Sequence, residues 1–137
     1  MGALRIERDG DVLRATLARP GSRNAFDAAL IAELTQAFDA VGGDVRAVLL
    51  AGDGPSFCAG ADVEWQRASI DLSFDENVED ALRLHAMLAA LDSCPAPLVA
   101  RVQGYDRIPV VLLDGREHGY WRVEEERLRR DLAQPPR

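Results

Sequence analysis

A chain of 137 residues is about one domain long, and at 47% hydrophobic residues it can bury a sizeable core. Its formal net charge of -7 argues against a nucleic-acid partner, because phosphate binding needs a basic face and no basic block is present. No apolar run approaches the ~20 residues of a membrane span, and residues 1–8 carry charge where a signal peptide needs an apolar core, so no membrane partner and a cytoplasmic location are expected.

Residues 4–8 and 12–17 are short alternating runs around Asp9-Gly10-Asp11, whose Asp-Gly step is a strong hairpin signal; they are expected to pair antiparallel. Phe26, Leu30, Leu34, Phe38 and Val41 then fall three or four apart, which predicts an amphipathic helix over 27–41, stopped by Gly42-Gly43. Residues 46–51 form a continuous apolar run of strand length, expected to be buried on both faces in a parallel position. A Gly-Asp-Gly-Pro turn leads from it into Ser56-Phe57-Cys58-Ala59-Gly60-Ala61-Asp62-Val63-Glu64. With little side chain at Ala59, Gly60 and Ala61, the backbone can come close to a ligand and turn successive N–H groups toward a negative oxygen, the geometry of an oxyanion hole.

Beyond Trp65 an irregular stretch is expected as far as Ser73, where Ser73-x-x-Glu76 makes a capping box. The helix it starts is expected to turn Ala81, Leu84, Leu88 and Leu91 inward. Asp92-Ser93-Cys94-Pro95-Ala96-Pro97 ends that helix, since proline cannot continue the hydrogen-bond ladder, and residues 98–102 read as the next strand. Residues 109–114 and 117–121 read as two strands around Asp114-Gly115, and 124–132 as a charged helix. Cys58 and Cys94 make no C-x-x-C or zinc pattern and read as free thiols. His85 and His118 have no partner at ligand spacing, so no metal is expected.

Phe57-Cys58-Ala59-Gly60-Ala61-Asp62 after a strand resembles the first acyl-thioester-binding segment of the crotonase family, the enoyl-CoA hydratases and isomerases. Arg19-Pro20-Gly21-Ser22-Arg23-Asn24-Ala25-Phe26 is similar to that family's first coenzyme A-binding loop, and Pro97-Leu98-Val99-Ala100-Arg101-Val102-Gln103-Gly104 to the strand leading to its second binding segment. The resemblance implies an α/β chain with a partial crotonase-like fold over residues 1–104: strand pair, helix, strand, helix, strand. It implies that Ala61 donates the first oxyanion-hole N–H, and that Arg23, Ala25, Ala59, Gly60, Asp62 and Val63 lie against coenzyme A. The ligand it implies is a coenzyme A thioester of a short or branched acyl group, bound as substrate with no permanent cofactor, and it leaves room for a homo-oligomer. Arg23 reads equally as a solvated loop arginine. Asp62 and Glu64 do not match the family's catalytic glutamates and are expected to be structural.

The resemblance stops at Gly104. In the family a glycine-rich turn follows and supplies the second oxyanion N–H, and a later helix region brings the catalytic carboxylate; here Tyr105-Asp106-Arg107-Ile108-Pro109 has no glycine cluster. A complete family domain is also considerably longer. The chain therefore reads as truncated, with its acyl-CoA lyase chemistry impaired. From Ile108 to His118 it resembles the last hairpin of glutaredoxin-like, thioredoxin-fold proteins, where a cis proline opens the hairpin and a helix follows. Residues 105–137 are thus expected as a fused hairpin-helix tail. Two alternatives stand beside this reading: a non-catalytic coenzyme A-binding or interaction fragment, and a redox module carried by the tail, which lacks the C-x-x-C such chemistry uses.

Overall fold

A computed structural model describes residues 2–104 and, beyond them, the backbone of two strands at 110–113 and 116–120. Strands β1 (Leu4–Asp9) and β2 (Val12–Leu17) pair antiparallel with Asp9 opposite Val12, so Gly10 and Asp11 form a two-residue loop. Gly10 takes φ +59°, open to glycine without the Cβ penalty, and the expected hairpin is present. Helix α1 (Ala28–Asp39) begins where the Asp27 carboxylate accepts the Leu30 N–H at 2.8 Å. Of its predicted stripe, Leu30, Leu34, Phe38 and Val41 are buried, with Ile31 beside them, while Phe26 is half-buried and lies before the helix.

Strand β3 (Ala47–Gly52) lies between β2 and β4 (Leu98–Ala100), parallel to both, in a sheet ordered β1-β2-β3-β4. Val48 and Leu50 join Ala15, Leu17, the α1 stripe, Met87 and Ala90 in one core. The alternating Ala47 and Leu49 stay partly exposed, so the full burial on both faces expected for this strand is not reached. Beyond Ala100 the Arg101 N–H still donates to Leu50 at 2.8 Å, a single step of ladder past the strand's end.

Two expectations are corrected. The stretch after Asp62 is not irregular, because Asp62 caps a short helix α2 (Val63–Ala68) through the Glu64 N–H, and a 3₁₀ turn (Ser69–Asp71) follows. Helix α3 (Phe74–Asp92) starts at the expected capping box, with the Glu76 N–H on Ser73 Oγ and the Ser73 N–H on Glu76 Oε2. Its inward face is nevertheless turned by about one residue from the expectation: Met87 and Ala90 are buried, Leu84 and Leu91 pack partly against the core, and Ala81 and Leu88 face outward.

The contacts divide the chain into two units, Met1–Gly104 and Tyr105–Arg137. In the second, β5 (Val110–Leu113) and β6 (Arg116–Tyr120) pair antiparallel, with a register irregularity between Val111 and Leu112. Pro109, the Asp114-Gly115 turn and the helix expected over 124–132 lie outside the described residues. Among the described residues no helix is long and apolar enough to cross a membrane.

The register of α3 is testable by paired truncations. Met87→Ala is expected to lower the unfolding free energy by about 2–5 kcal/mol through lost burial and a cavity, and Leu88→Ala by no more than about 0.5 kcal/mol. Chemical denaturation of the two variants measures this, and equal losses would restore the register read from sequence.

Candidate functional site

Loop 19–26 runs from the C-terminal end of β2 to the start of α1. After a 3₁₀ turn (Pro20–Ser22), Arg23 and Asn24 both adopt left-handed conformations, φ 52° and 55°. Non-glycine residues there are strained by about 1 kcal/mol or more each and persist only where their surroundings fix them. The fixing group is the Asn24 side chain, wholly buried. Its Oδ1 accepts the Arg19 N–H at 2.9 Å, and its Nδ2 donates to the carbonyls of Asp53 and Ser56 at 2.9 and 2.8 Å. The amide therefore stitches the loop to the turn after β3. Gly52 makes room for it: a Cβ there would stand 2.8 Å from Asn24 Nδ2 and 2.6 Å from the Phe57 carbonyl oxygen.

The two segments then close against each other. The Ala59 N–H donates to Arg23 at 2.9 Å, the Phe26 N–H to Gly60 at 2.8 Å and the Asp62 N–H to Phe26 at 2.8 Å, which makes Phe26 and Ala61 a parallel bridge. In such a bridge the groups flanking Ala61 are used, while its own N–H points to the other side. Among the described residues that N–H has no partner. Gly60 before it takes φ +91°, and its N–H reaches only the Cys58 sulfur at 3.4 Å, a weak acceptor. Of the successive N–H groups expected to face a ligand at 59–61, that of Ala59 is thus taken up by Arg23, and only that of half-exposed Ala61 has no partner among the described residues.

The other sequence candidates divide. Arg23 is exposed, and its guanidinium makes no ion pair with any described residue. Ala25 is buried, its N–H bonded to Ser22 and its carbonyl to the Arg19 guanidinium. Val63 is exposed at the first turn of α2. Glu64 pairs with Arg67 at 2.7 Å on the surface. Asp62 is held firmly: Oδ1 accepts the Glu64 N–H at 2.9 Å and Oδ2 the Arg19 guanidinium at 3.0 Å. The Glu64 N–H first, with Arg19 and the Trp65 N–H adding to it against partial burial, holds its carboxyl below the usual range. A carboxylate so satisfied is a poor proton acceptor. Burial pushes the Cys58 thiol up, away from the reactive thiolate.

Spacing alone did not reveal Arg19, Asn24 and Asp27 as the framework. Arg19 Nη2 lies 2.8 Å from Asp27 Oδ2 and 3.0 Å from Asp62 Oδ2. Asp27 and Asp62 do carry a signal, since each precedes an apolar helical run as an N-cap residue should. On the far side, the Gln103 carbonyl accepts the Phe57 N–H at 3.0 Å, and its side-chain Nε2 donates to Gly52 and Gly54. Gln103 Oε1 is a buried acceptor with no donor among the described residues. Gly104, at φ +69°, ends this segment where a Cβ would stand 2.5 Å from the Pro55 carbonyl oxygen.

Strands β2, β3 and β4 run parallel, and the turn after β3 carries a backbone N–H with no partner among the described residues, in an α/β protein. The chain belongs to the enoyl-CoA hydratase/isomerase family, whose model matches residues 7–107. It is 38% identical over 94 residues to the probable enoyl-CoA hydratase echA6 of Mycobacterium tuberculosis, covering 68% of this chain and 35% of that protein. Two solved structures are similar. An enoyl-CoA hydratase from Mycobacterium smegmatis matches with TM-score 0.69 and 36% identity, over 74% of this chain and 40% of its own. Pseudomonas aeruginosa AtuE matches with TM-score 0.72 and 34% identity, over 74% and 40%. The chain thus spans well under half the length of these relatives, and the partial crotonase-like fold expected over its first unit is present.

Two measurements probe this framework. Asn24→Ala strands buried groups on both segments and is expected to cost about 1–3 kcal/mol, read by denaturation; a change under about 0.5 kcal/mol would contradict the stitching role. Because the Asp62 pKa is depressed on folding, its contribution to stability is full above the ordinary carboxylate pKa and is lost as pH falls through the folded value. Melting curves from about pH 7 to about pH 3 should therefore decline less steeply below about pH 4 in Asp62→Asn than in the parent, and parallel declines would contradict it.

Proposed function

We propose that the chain binds a coenzyme A thioester of a short or branched acyl group at the 59–62 turn and, as its 137 residues stand, does not hydrate it efficiently. The observation that carries this reading is the Ala61 N–H, without a partner among the described residues and held in place by the bridge to Phe26. A donor fixed before the ligand arrives stabilises charge developing on a thioester oxygen without reorganising, an effect of about 10²–10³ in rate for one such group. The exposed Arg23 guanidinium can neutralise a coenzyme phosphate, and Ala59, Gly60, Asp62 and Val63 form the wall along which the coenzyme runs.

Hydration needs more than this. The carbonyl must be held by two donors and a water activated by a positioned base, and the stretch after Gly104 carries neither the glycine turn nor the glutamates of the family pattern. Asp62 is tied to Arg19, and Glu64 points to Arg67. The same reading takes the chain as a truncated family member in the cytoplasm, fused to a glutaredoxin-like tail over residues 105–137 that brings no thiol chemistry. The antiparallel β5–β6 pair supports the hairpin part of that tail.

Calorimetry with acetyl-CoA should give a dissociation constant of roughly 0.1–1 mM, a few kcal/mol of binding; sub-micromolar affinity would mean the remainder of the chain supplies further contacts. With crotonyl-CoA the purified chain should hydrate no faster than a protein-free control. Turnover abolished by Glu64→Gln would overturn the impaired-enzyme reading.

A further inference from the structure

We propose that Arg19 is the positioning residue of the thioester turn: its guanidinium clamps the Phe26–Ala61 bridge from both sides and so sets the direction of the Ala61 N–H. The proposal rests on the acyl-CoA reading above for its ligand and on geometry for its mechanism.

Arg19 makes three side-chain contacts, and all three straddle the bridge. Its guanidinium donates to the carbonyl of Ala25, immediately before Phe26, and forms an ion pair with Asp27, immediately after it. It also meets Asp62, immediately after Ala61. Each aspartate divides its oxygens in the same way: Oδ1 accepts from the first turn of its own helix, Leu30 for Asp27 and Glu64 for Asp62, and Oδ2 faces Arg19. One planar cation thus ties the N-terminal ends of α1 and α2 to the loop that precedes α1. The cluster is half-buried, with Arg19 22%, Asp27 28% and Asp62 14% exposed at their side chains. The arginines of the other ion pairs, Arg5, Arg8, Arg14, Arg67 and Arg83, have side chains 41–69% exposed, although Asp80 opposite Arg83 is only 18% exposed.

Without the guanidinium, two carboxylates less than about 6 Å apart would face each other in a partly dry place, and their repulsion acts directly across the bridge. A lysine can neutralise them but lacks the planar fork that serves a carbonyl and two carboxylates together. The substitution Arg19→Lys is therefore expected to restore part of the function that Arg19→Met loses.

The test begins in the free protein, by amide hydrogen exchange in the full chain. In Arg19→Met the Phe26 and Asp62 amides, which form the bridge, should exchange about tenfold faster or more, while Val48 in the sheet and Ala18, bonded to Ala3 just past the end of β2, stay within about twofold. Arg19→Lys should fall between, and Arg5→Met, which removes an exposed pair with Asp53, should change none of the four. Unchanged exchange at Phe26 and Asp62, or an equal rise at all four, would overturn the clamp. The second arm uses a conjugated enoyl-CoA, whose absorption moves to longer wavelength when its carbonyl accepts a hydrogen bond. The parent should show that shift and Arg19→Met should lose it, with affinity for unesterified coenzyme A within about twofold; equal loss of both affinities would make Arg19 merely structural. Absence of the shift in the parent would retire the acyl-CoA reading, with the exchange data alone deciding whether Arg19 holds the bridge.

Discussion

The site depends on one buried amide. Arg23 and Asn24 sit in consecutive left-handed conformations that their side chains disfavour, and the Asn24 side chain, shut away from water, repays the strain by meeting Arg19, Asp53 and Ser56 at once. Those partners lie in two parts of the frame: the start of the loop itself and two points on the turn after β3. Because the loop is held there, its continuation at Phe26 arrives beside Ala61, and the turn becomes a short parallel bridge rather than a free loop. The placement of Phe26 beside Ala61 is thus traceable to one buried side chain.

Much of this was legible in the sequence where the signal is local. The Asp-Gly step fixed the hairpin, the three-to-four spacing from Leu30 to Phe38 fixed the buried side of α1, and Ser73 with Glu76 fixed the start of α3. The inward face of α3 was not legible, because Phe74, Val78, Leu82 and Leu88 leave apolar residues on its outer side too, and periodicity cannot choose between two stripes. Helix α2 was missed for its brevity, although Asp62 is an N-cap residue followed by a glutamate. At the site, small residues at 59–61 announced an approachable backbone. That Arg19 would join Asp27 and Asp62 was not readable, since the joining is made by the fold and not by spacing.

Membership of the enoyl-CoA hydratase/isomerase family gives these features a common explanation, and the matched length limits it. The stretch shared with the Mycobacterium tuberculosis and Mycobacterium smegmatis hydratases spans 35% and 40% of those chains. On the function proposed above, it would hold one donor of a charge-stabilising pair, which favours binding of a polarised carbonyl more than its conversion.

The most direct measurement of the central claim follows the Ala61 amide by nuclear magnetic resonance while acetyl-CoA is added. If this N–H receives the thioester oxygen, its proton resonance should move downfield and saturate with the same dissociation constant as the calorimetric binding, and unesterified coenzyme A should leave it nearly still. An Ala61 resonance that stays fixed while other amides respond to acetyl-CoA, or that moves as far with unesterified coenzyme A, would contradict the account.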